Sequence, residues 1–525
     1  MAECIVSARC PHVQCDGPRN HRGARILNGV GPPRPHVLTL DAGTSSLRAQ
    51  VWGVDGRPLP EIGARAHYRL WTDPEGGAWL EPEEVLSAVS DALDETVARA
   101  ESIDAGIAAV ASDTLSPTLL GVDEQAQPLT PIYTYADTRS RQAAVELRER
   151  LDSAEIHERT GCPIHSSYLP SRLLWLERSR PRLFSRVARW MTLGEFVYSR
   201  FFRTGGVSYS AASWSGLLNR HRLDWDQSWI SLLPVRRTQL STLRDCTQPF
   251  TGLRDPWARR WPVLARIPWF PAVGDGAAAN VGSGCVRSDR VALTIGSTGA
   301  IRAVLDRPAS PLPAGLWSYF VDGGRPLMGG ATTEGGSIFS WLTSRLQADV
   351  EPERLEAELQ AMEPAAHGLV FLPFLAGERS PGWRDEARGS LVGLTLSTRP
   401  VEIVRAALES IAYRLCLIYR LMEPHLSRQH EIIGGGAGLL SSPAWLQILA
   451  DVLGRRVIAC AEPEVTGRGT ALLALESLGL VSDLAAVPPA MGKRYDPDPA
   501  RHLRHLEAME RHLELYRRLD GFALE

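Results

Sequence analysis

The stretch Val37-Leu38-Thr39-Leu40-Asp41-Ala42-Gly43-Thr44-Ser45-Ser46-Leu47-Arg48-Ala49-Gln50-Val51-Trp52 places a short polar turn between two apolar runs. A β-branched and apolar segment that stops at Asp-x-Gly-Thr and soon resumes predicts a strand, a tight turn and a returning strand. Backbone N–H groups, hydroxyls and one carboxylate collect in that turn. Glycine admits close approach of an anion, amides and hydroxyls donate to phosphate oxygens, and a carboxylate can hold a hydrated cation. An isolated hairpin uses the same residues simply because they tolerate turns.

A second copy weighs against that plain reading. Val291-Ala292-Leu293-Thr294-Ile295-Gly296-Ser297-Thr298-Gly299-Ala300-Ile301-Arg302-Ala303 repeats the strand, the Gly/Ser/Thr turn and the returning strand. Two such units at the heads of two halves predict a duplicated domain with a nucleotide held between the turns. The aspartate is missing from the second copy, where Ile295 stands nearby, so Asp41 alone is expected on the metal side.

Length supports two halves, since 525 residues are too many for one core and suit two domains of roughly 200–250 residues. An apolar fraction of 44% and a charged fraction of 22% describe an ordinary globular chain. The net charge of −3 offers nucleic acid or an anionic membrane no attraction. Without an apolar run near the ~18 residues needed to span a bilayer, or an N-terminal apolar core, a cytoplasmic location is expected. Eight cysteines are too few for a disulfide scaffold, and Cys162, Cys246, Cys285, Cys416 and Cys460 read as buried free thiols. Cys4, Cys10 and Cys15 cluster near His12 and His21 in a spacing that fits no standard zinc knuckle.

The chain contains one lysine, Lys493, in Met491-Gly492-Lys493-Arg494. A Walker loop, a protein kinase and a pyridoxal enzyme each require a lysine in a defined place, and Lys493 occupies none of them. Phosphate chemistry here must use backbone amides, hydroxyls, a metal and arginines.

From His36 the first half alternates strands and helices, as expected of an α/β domain. Val85, Leu86, Val89, Leu93 and Val97 mark a helix over 81–100, residues 105–111 a buried strand, and residues 143–176 further helix. Residues 236–271 show little periodicity and read as a surface excursion. In the second half, helices are expected over 336–347 and 400–422, a strand over 367–374, and a terminal helix with Leu503, Leu506, Met509, Leu513 and Tyr516 on one side.

Between the halves, Val273-Gly274-Asp275-Gly276-Ala277-Ala278-Ala279 looks like a strand end entering a helix. Asp275 can be read as a helix N-cap or as a general base that orients an attacking hydroxyl and takes its proton. Farther on, Ile432-Ile433-Gly434-Gly435-Gly436-Ala437-Gly438 leads to a helix starting at Ser442-Pro443. Three glycines exceed what a simple strand-to-helix turn needs, and they would let an adenosine lie flat on the backbone.

Together these segments resemble the FGGY carbohydrate kinase family, from about residue 36 to 480. Further matches follow in the same order. Tyr135-Ala136-Asp137-Thr138-Arg139 is similar to a WxDxR segment, and Gly377-Glu378-Arg379-Ser380-Pro381 to a GER-x-P loop. Gly389-Ser390-Leu391-Val392-Gly393-Leu394 with Glu402 and Ala406 to Glu409 is similar to the C-terminal signature. The resemblance implies the actin-like ATPase fold, in which two ribonuclease-H-like α/β domains enclose an interdomain cleft. Residues 1–35 would be a disordered or non-core extension, 36–284 the sugar and phosphate/magnesium side, and 285–525 the ATP side. It implies ATP and Mg2+, with Asp41 on the metal and Gly43, Thr44, Ser45, Gly296, Ser297 and Thr298 on the phosphates. Adenosine would lie on Gly434, Gly435, Gly436 and Ala437, the acceptor near Thr114 and Gly274, and Asp275 would be the base.

The acceptor side departs from the family pattern. Ser112-Asp113-Thr114-Leu115-Ser116-Pro117-Thr118 replaces the usual Gln and His segment, with Pro117 at about the histidine's place, and Arg172 stands where the family has lysine. Residues 329–342 and Gly382-Trp383 look more like the gluconate branch than the xylulose branch. The expected substrate is a sugar acid of the gluconate type, with a ketopentose or polyol as alternative. A non-catalytic nucleotide-dependent binder is the alternative of another class, and a homodimer is an open partner.

Overall fold

The computed structural model describes residues 35–345 and 351–519. The cysteine and histidine cluster near the N-terminus lies outside the described residues, as does the extension up to residue 34.

The opening stretch forms β1 (His36–Ala42) and β2 (Ser46–Trp52), antiparallel with Asp41 opposite Arg48. β3 (Pro58–His67) extends the meander, and after α1 (Pro82–Ser102) the chain returns as β4 (Ile107–Thr114), parallel to β1. α1 starts at Pro82 with Glu83 and Glu84 in its first turn, where proline and acidic side chains suit a helix N-terminus. Its buried Val85, Val89 and Leu93 meet Leu38 and Leu40 of β1 in one apolar cluster. Successive strand residues point to opposite faces, so Thr39 and Asp41 face away from α1. β5 (Val273–Gly274) completes the sheet beside β4 and runs directly into α2 (Asp275–Gly282).

The second half repeats this order. β6 (Arg290–Ile295) pairs antiparallel with β7 (Gly299–Val304); β8 (Trp317–Asp322) and β9 (Arg325–Thr332) follow, β9 beside β7 and β8 at the edge. After α3 (Gly336–Arg345) and the central helix α4 (Pro400–Met422), β10 (Glu431–Gly435) lies parallel to β6. α5 (Pro443–Leu453) leads to β11 (Val457–Cys460), and α6 (Val465–Ser477) precedes the edge strand β12 (Met491–Tyr495) and α7 (Pro499–Arg518). The first sheet runs β5-β4-β1-β2-β3, and the second contains the same order as β11-β10-β6-β7-β9. This is the duplicated ribonuclease-H-like pair of the actin-like ATPase fold.

The halves are joined by α2 and α6. α6, from the second half, packs on α2 and on β1 and β4 of the first sheet. The two helices cross at backbone contact: a Cβ at Gly282 would lie 1.7 Å from the Val465 carbonyl oxygen, and one at Gly469 1.8 Å from that of Ala278. Only glycine permits so close an approach.

Two expectations are corrected. Residues 236–271 are only in part a surface excursion: Trp261 and Trp269 are buried against Phe201, and Phe270 N–H donates to the Val110 carbonyl (2.8 Å). Aromatic density held this segment in the core where apolar periodicity was lacking. In α7 the buried face is His505, Ala508, Met509 and His512, while Leu503 is exposed. The Tyr413 hydroxyl of α4 and His505 Nδ1 share a hydrogen bond (3.1 Å), so a partly polar face docks. The five cysteines named above within the described residues are free and buried, as expected.

Candidate functional site

The turn between β1 and β2 is held by its own backbone and by Tyr68. Gly43 N–H donates to the Ser46 carbonyl (3.0 Å), the Tyr68 hydroxyl to the Gly43 carbonyl (2.6 Å), and Tyr68 N–H to Ser45 (3.2 Å). That leaves Thr44 at the rim of a cavity of about 270 Å³, where Gly296, Ser297 and Thr298 of the second turn form the opposite side. Asp275 lies between the two turns on the same cavity. Ser45 is exposed on the outer side of its turn.

Asp275 begins α2, where its Oδ1 accepts from Gly276 N–H (2.8 Å). Burial raises its pKa to about 6, with the Asp41 carboxylate pushing the same way and the Gly276 amide, Arg302 and Arg379 opposing. Such a carboxylate is ionised at neutral pH and still basic enough to take a proton. The N-cap reading is not what the geometry shows, because Gly274 occupies the N-cap position.

Asp41 has a partner that sequence reasoning missed. In the parallel register of β1 and β4 it lies opposite Asp113, and the two carboxyls are within hydrogen-bonding reach of one another. Asp113 is fully buried, and its second oxygen accepts from the Thr470 hydroxyl of α6 at 2.6 Å. Burial raises the pKa of both carboxyls, and for Asp113 the neighbouring Asp41 adds to the rise. Among the described residues no group of three metal-ligating side chains occurs. A carboxylate pair beside two Gly/Ser/Thr turns is nevertheless a fitting donor set for Mg2+, which keeps several waters and takes one or two carboxylates plus substrate phosphates.

Backbone approaches backbone where the second turn meets the glycine cluster. Gly336 N–H donates to the Gly296 carbonyl (2.7 Å), and Gly436, at φ +89°, leaves only 2.5 Å between a would-be Cβ and the Ile295 carbonyl. Gly434 is buried inside β10 against Val457 and Leu446, so its lack of a side chain serves packing. Gly435 opens onto free space, Gly436 follows, and Ala437 is exposed at the start of a helical turn.

The remaining wall of the cavity is assembled from both halves. Thr114 and Gly274 sit side by side at the ends of β4 and β5, but neither lines the cavity: Trp214 lies over Gly274. Ser116, Tyr135, Trp214, Trp317, Arg302 and Arg379 line it instead. The Tyr135 hydroxyl lies within hydrogen-bonding reach of Thr44, and its segment is anchored by Arg139, whose Nε donates to Asp137 (3.1 Å) and whose guanidinium stacks on Trp175. Arg379 lines the cavity, while its neighbour Glu378 is buried among Arg414, Arg384, whose Nε donates to it (3.1 Å), and Tyr516, whose hydroxyl donates to it (2.6 Å). Arg172 is buried on the helix Leu169–Ser179 near Asp137, outside the cavity lining. Trp214, Arg302 and Arg379 belong to segments far apart in the chain, which is why no local pattern marked them as one site.

Comparison with known proteins agrees with this geometry. Residues 36–282 match the N-terminal domain model of the FGGY family of carbohydrate kinases, and residues 291–478 match the C-terminal domain model. The chain is similar to a gluconokinase of Bacillus subtilis (strain 168), 27% identical over 478 residues that span 88% of this chain and 92% of the relative. It is similar in structure to a gluconate kinase from Lactobacillus acidophilus, with a TM-score of 0.85, 25% identity and coverage of 93% and 99% of the two chains. A ligand-bound xylulose kinase from the same organism gives a TM-score of 0.86 at 25% identity and the same coverage.

Proposed function

Because the chain belongs to the FGGY family of carbohydrate kinases, we propose that it moves the γ-phosphoryl group of ATP to a terminal hydroxyl of a sugar acid of the gluconate type. The observation that carries this reading is the convergence of Asp275, Thr44 and residues 296–298 on one cavity. The acceptor oxygen bonds to the γ-phosphorus, its proton passes to an Asp275 oxygen, and the bond from the γ-phosphorus to the β,γ-bridging oxygen breaks as ADP leaves. Such transfers pass through a loose transition state, so positioning and electrostatics carry most of the catalysis.

Thr44 would hold the phosphates from one side and Gly296, Ser297 and Thr298 from the other, with Gly43 and Ser45 shaping the first turn around Thr44. The segment Gly434, Gly435, Gly436 and Ala437 would carry the adenosine, with Gly435 presenting the open backbone and Gly434 and Gly436 packed against neighbouring strands. Asp41, supported by Asp113, would hold hydrated Mg2+, which when bound offsets phosphate charge. Closure of the halves, divided near residues 284 and 285, would exclude water and limit wasteful ATP hydrolysis. Thr114 and Gly274 would then shape the floor beneath Trp214 rather than touch the acceptor.

The gluconokinase similarity over most of both chains favours a sugar acid over a ketopentose. We place the reaction in the cytoplasm, on a small-molecule acceptor without nucleic acid or membrane; among the described residues no helix is long and apolar enough to cross a membrane. ADP release measured across gluconate, xylulose, ribulose, erythritol and glycerol tests the proposal, with gluconate expected to give the highest kcat/KM. A preference for a neutral acceptor refutes the sugar-acid reading, and absence of acceptor-stimulated release from the whole panel supports the nucleotide-dependent binder.

A further inference from the structure

Arg302 differs from three other buried arginines of this protein, whereas Arg172, whose side chain has no hydrogen-bond partner among the described residues, lies outside the cavity. Arg220, Arg405 and Arg414 each contact a carboxylate, of Glu158, Glu409 and Glu378 respectively. Arg302, on β7 and 7% exposed, instead reaches the cavity wall with one NH2 donating to the Thr294 hydroxyl (3.3 Å) and Nε without a hydrogen-bond partner among the described residues. The chain makes room for it: a Cβ at Gly276 would lie 2.3 Å from its NH1, and one at Gly329 2.9 Å from its Cγ. Arg379, 9% exposed, lines the same cavity with its Nε equally unpartnered.

Both guanidiniums act on the one carboxylate of Asp275 and repel each other. Asp275 is the carboxylate that acts on Arg302, with Asp41 beyond it, and a buried guanidinium whose Nε has no hydrogen-bond partner among the described residues is costly unless an anion meets it. Guanidinium groups present a planar fork that matches a carboxylate with two parallel hydrogen bonds. The indoles of Trp214 and Trp317 flank the same cavity and supply apolar walls for a carbon chain.

We propose that Arg302 and Arg379 form the acid-recognition end of the cavity and bind the carboxylate of the acceptor, Arg302 setting the preference for a sugar acid over a neutral polyol of equal length. This rests on the sugar-acid reading above and adds the residues that carry it. Asp275, the two turns and the two guanidiniums line the same cavity, so reaction and recognition share one chamber.

The test compares gluconate with the neutral six-carbon polyol glucitol, using the full-length protein and its Arg302→Met and Arg302→Lys variants. The expected result is a fall of about 10²-fold in the ratio of kcat/KM for gluconate to that for glucitol in Arg302→Met, the scale for losing one partner of a desolvated charge pair. Arg302→Lys, which keeps the charge without the fork, should recover part of the ratio. Dissociation constants read from tryptophan fluorescence give the same ratio if glucitol turns over too slowly, and they report binding in any variant whose melting curve shows a folded protein. Equal losses on both acceptors, or a raised KM for ATP with the ratio unchanged, would place Arg302 on the phosphoryl group and overturn the inference. A wild-type protein that prefers glucitol to gluconate refutes the sugar-acid reading itself, before any variant is made, and the inference falls with it.

Discussion

Replacing Asp275 with asparagine should slow the enzyme and stabilise the fold at once. The carboxyl is moved from its ordinary 3.8 to about 6, mainly by burial. The folded protein therefore holds this proton more tightly than the unfolded chain between about pH 4 and pH 6. Stability falls as pH rises through that window, and above it the full cost of burying the anion persists. A shift of about two units corresponds to about 3 kcal/mol; partial solvent access to the carboxyl reduces this to about 1–3 kcal/mol. Asparagine carries no charge to desolvate, so Asp275→Asn should melt at a higher temperature than wild type at pH 7, and the two melting curves should converge below pH 4.

The kinetic effect has the opposite sign. Loss of a general base costs about 10²–10⁴ in turnover, so Asp275→Asn should fall by that factor in coupled ADP-release assays. In wild type, kcat/KM reports groups of the free enzyme, and a base with a pKa near 6 is about nine-tenths ionised at pH 7 and about one-tenth at pH 5. A fall of about tenfold in kcat/KM is expected between those two values. A rate that is flat from pH 5 to 8, an asparagine variant with near wild-type turnover, or a variant less stable than wild type at pH 7 would each refute the reasoning.

Two other substitutions probe how the site is held. Thr470→Val removes the donor to the buried Asp113 carboxylate, and an unsatisfied buried acceptor costs about 1–3 kcal/mol; chemical denaturation should show that loss, together with a raised requirement for Mg2+ in the kinase assay. Gly436→Ala forces a side chain into a left-handed residue with a would-be contact of 2.5 Å to the Ile295 carbonyl. Strain of about 1–3 kcal/mol should appear as a lower melting temperature and a higher KM for ATP, and an unchanged ATP KM would separate this glycine from the nucleotide site.

Much of the site was legible because its parts are contiguous. The turn at residues 41–46, its partner at 296–298, the Gly-Asp-Gly segment and the glycine cluster at 434–436 each write a local backbone shape into neighbouring residues, and three of the four also write a polar function. What was missed depends on register and packing. Asp113 sat in plain view beside Thr114, but only the parallel pairing of β1 with β4 sets it opposite Asp41. Gly434 and Gly435 look alike in sequence, whereas one packs against Val457 and Leu446 and the other faces open space. The face of α7 was misplaced because His505 and His512 count as polar until Tyr413 and the surrounding core are known.

From the amino-acid order alone come the duplicated strand-turn-strand units, the single lysine that leaves phosphate binding to amides, hydroxyls, arginines and a carboxylate-held metal, and Asp275 as the candidate base. These are properties of neighbours along the chain, and neighbours are what a sequence displays. Tertiary structure alone decided that Asp41 has a second carboxylate beside it, that burial raises the Asp275 pKa to about 6, and that Arg302 and Arg379 line one cavity from different segments. Charge density and local dielectric depend on groups brought together from distant parts of the chain, and no window of sequence contains them.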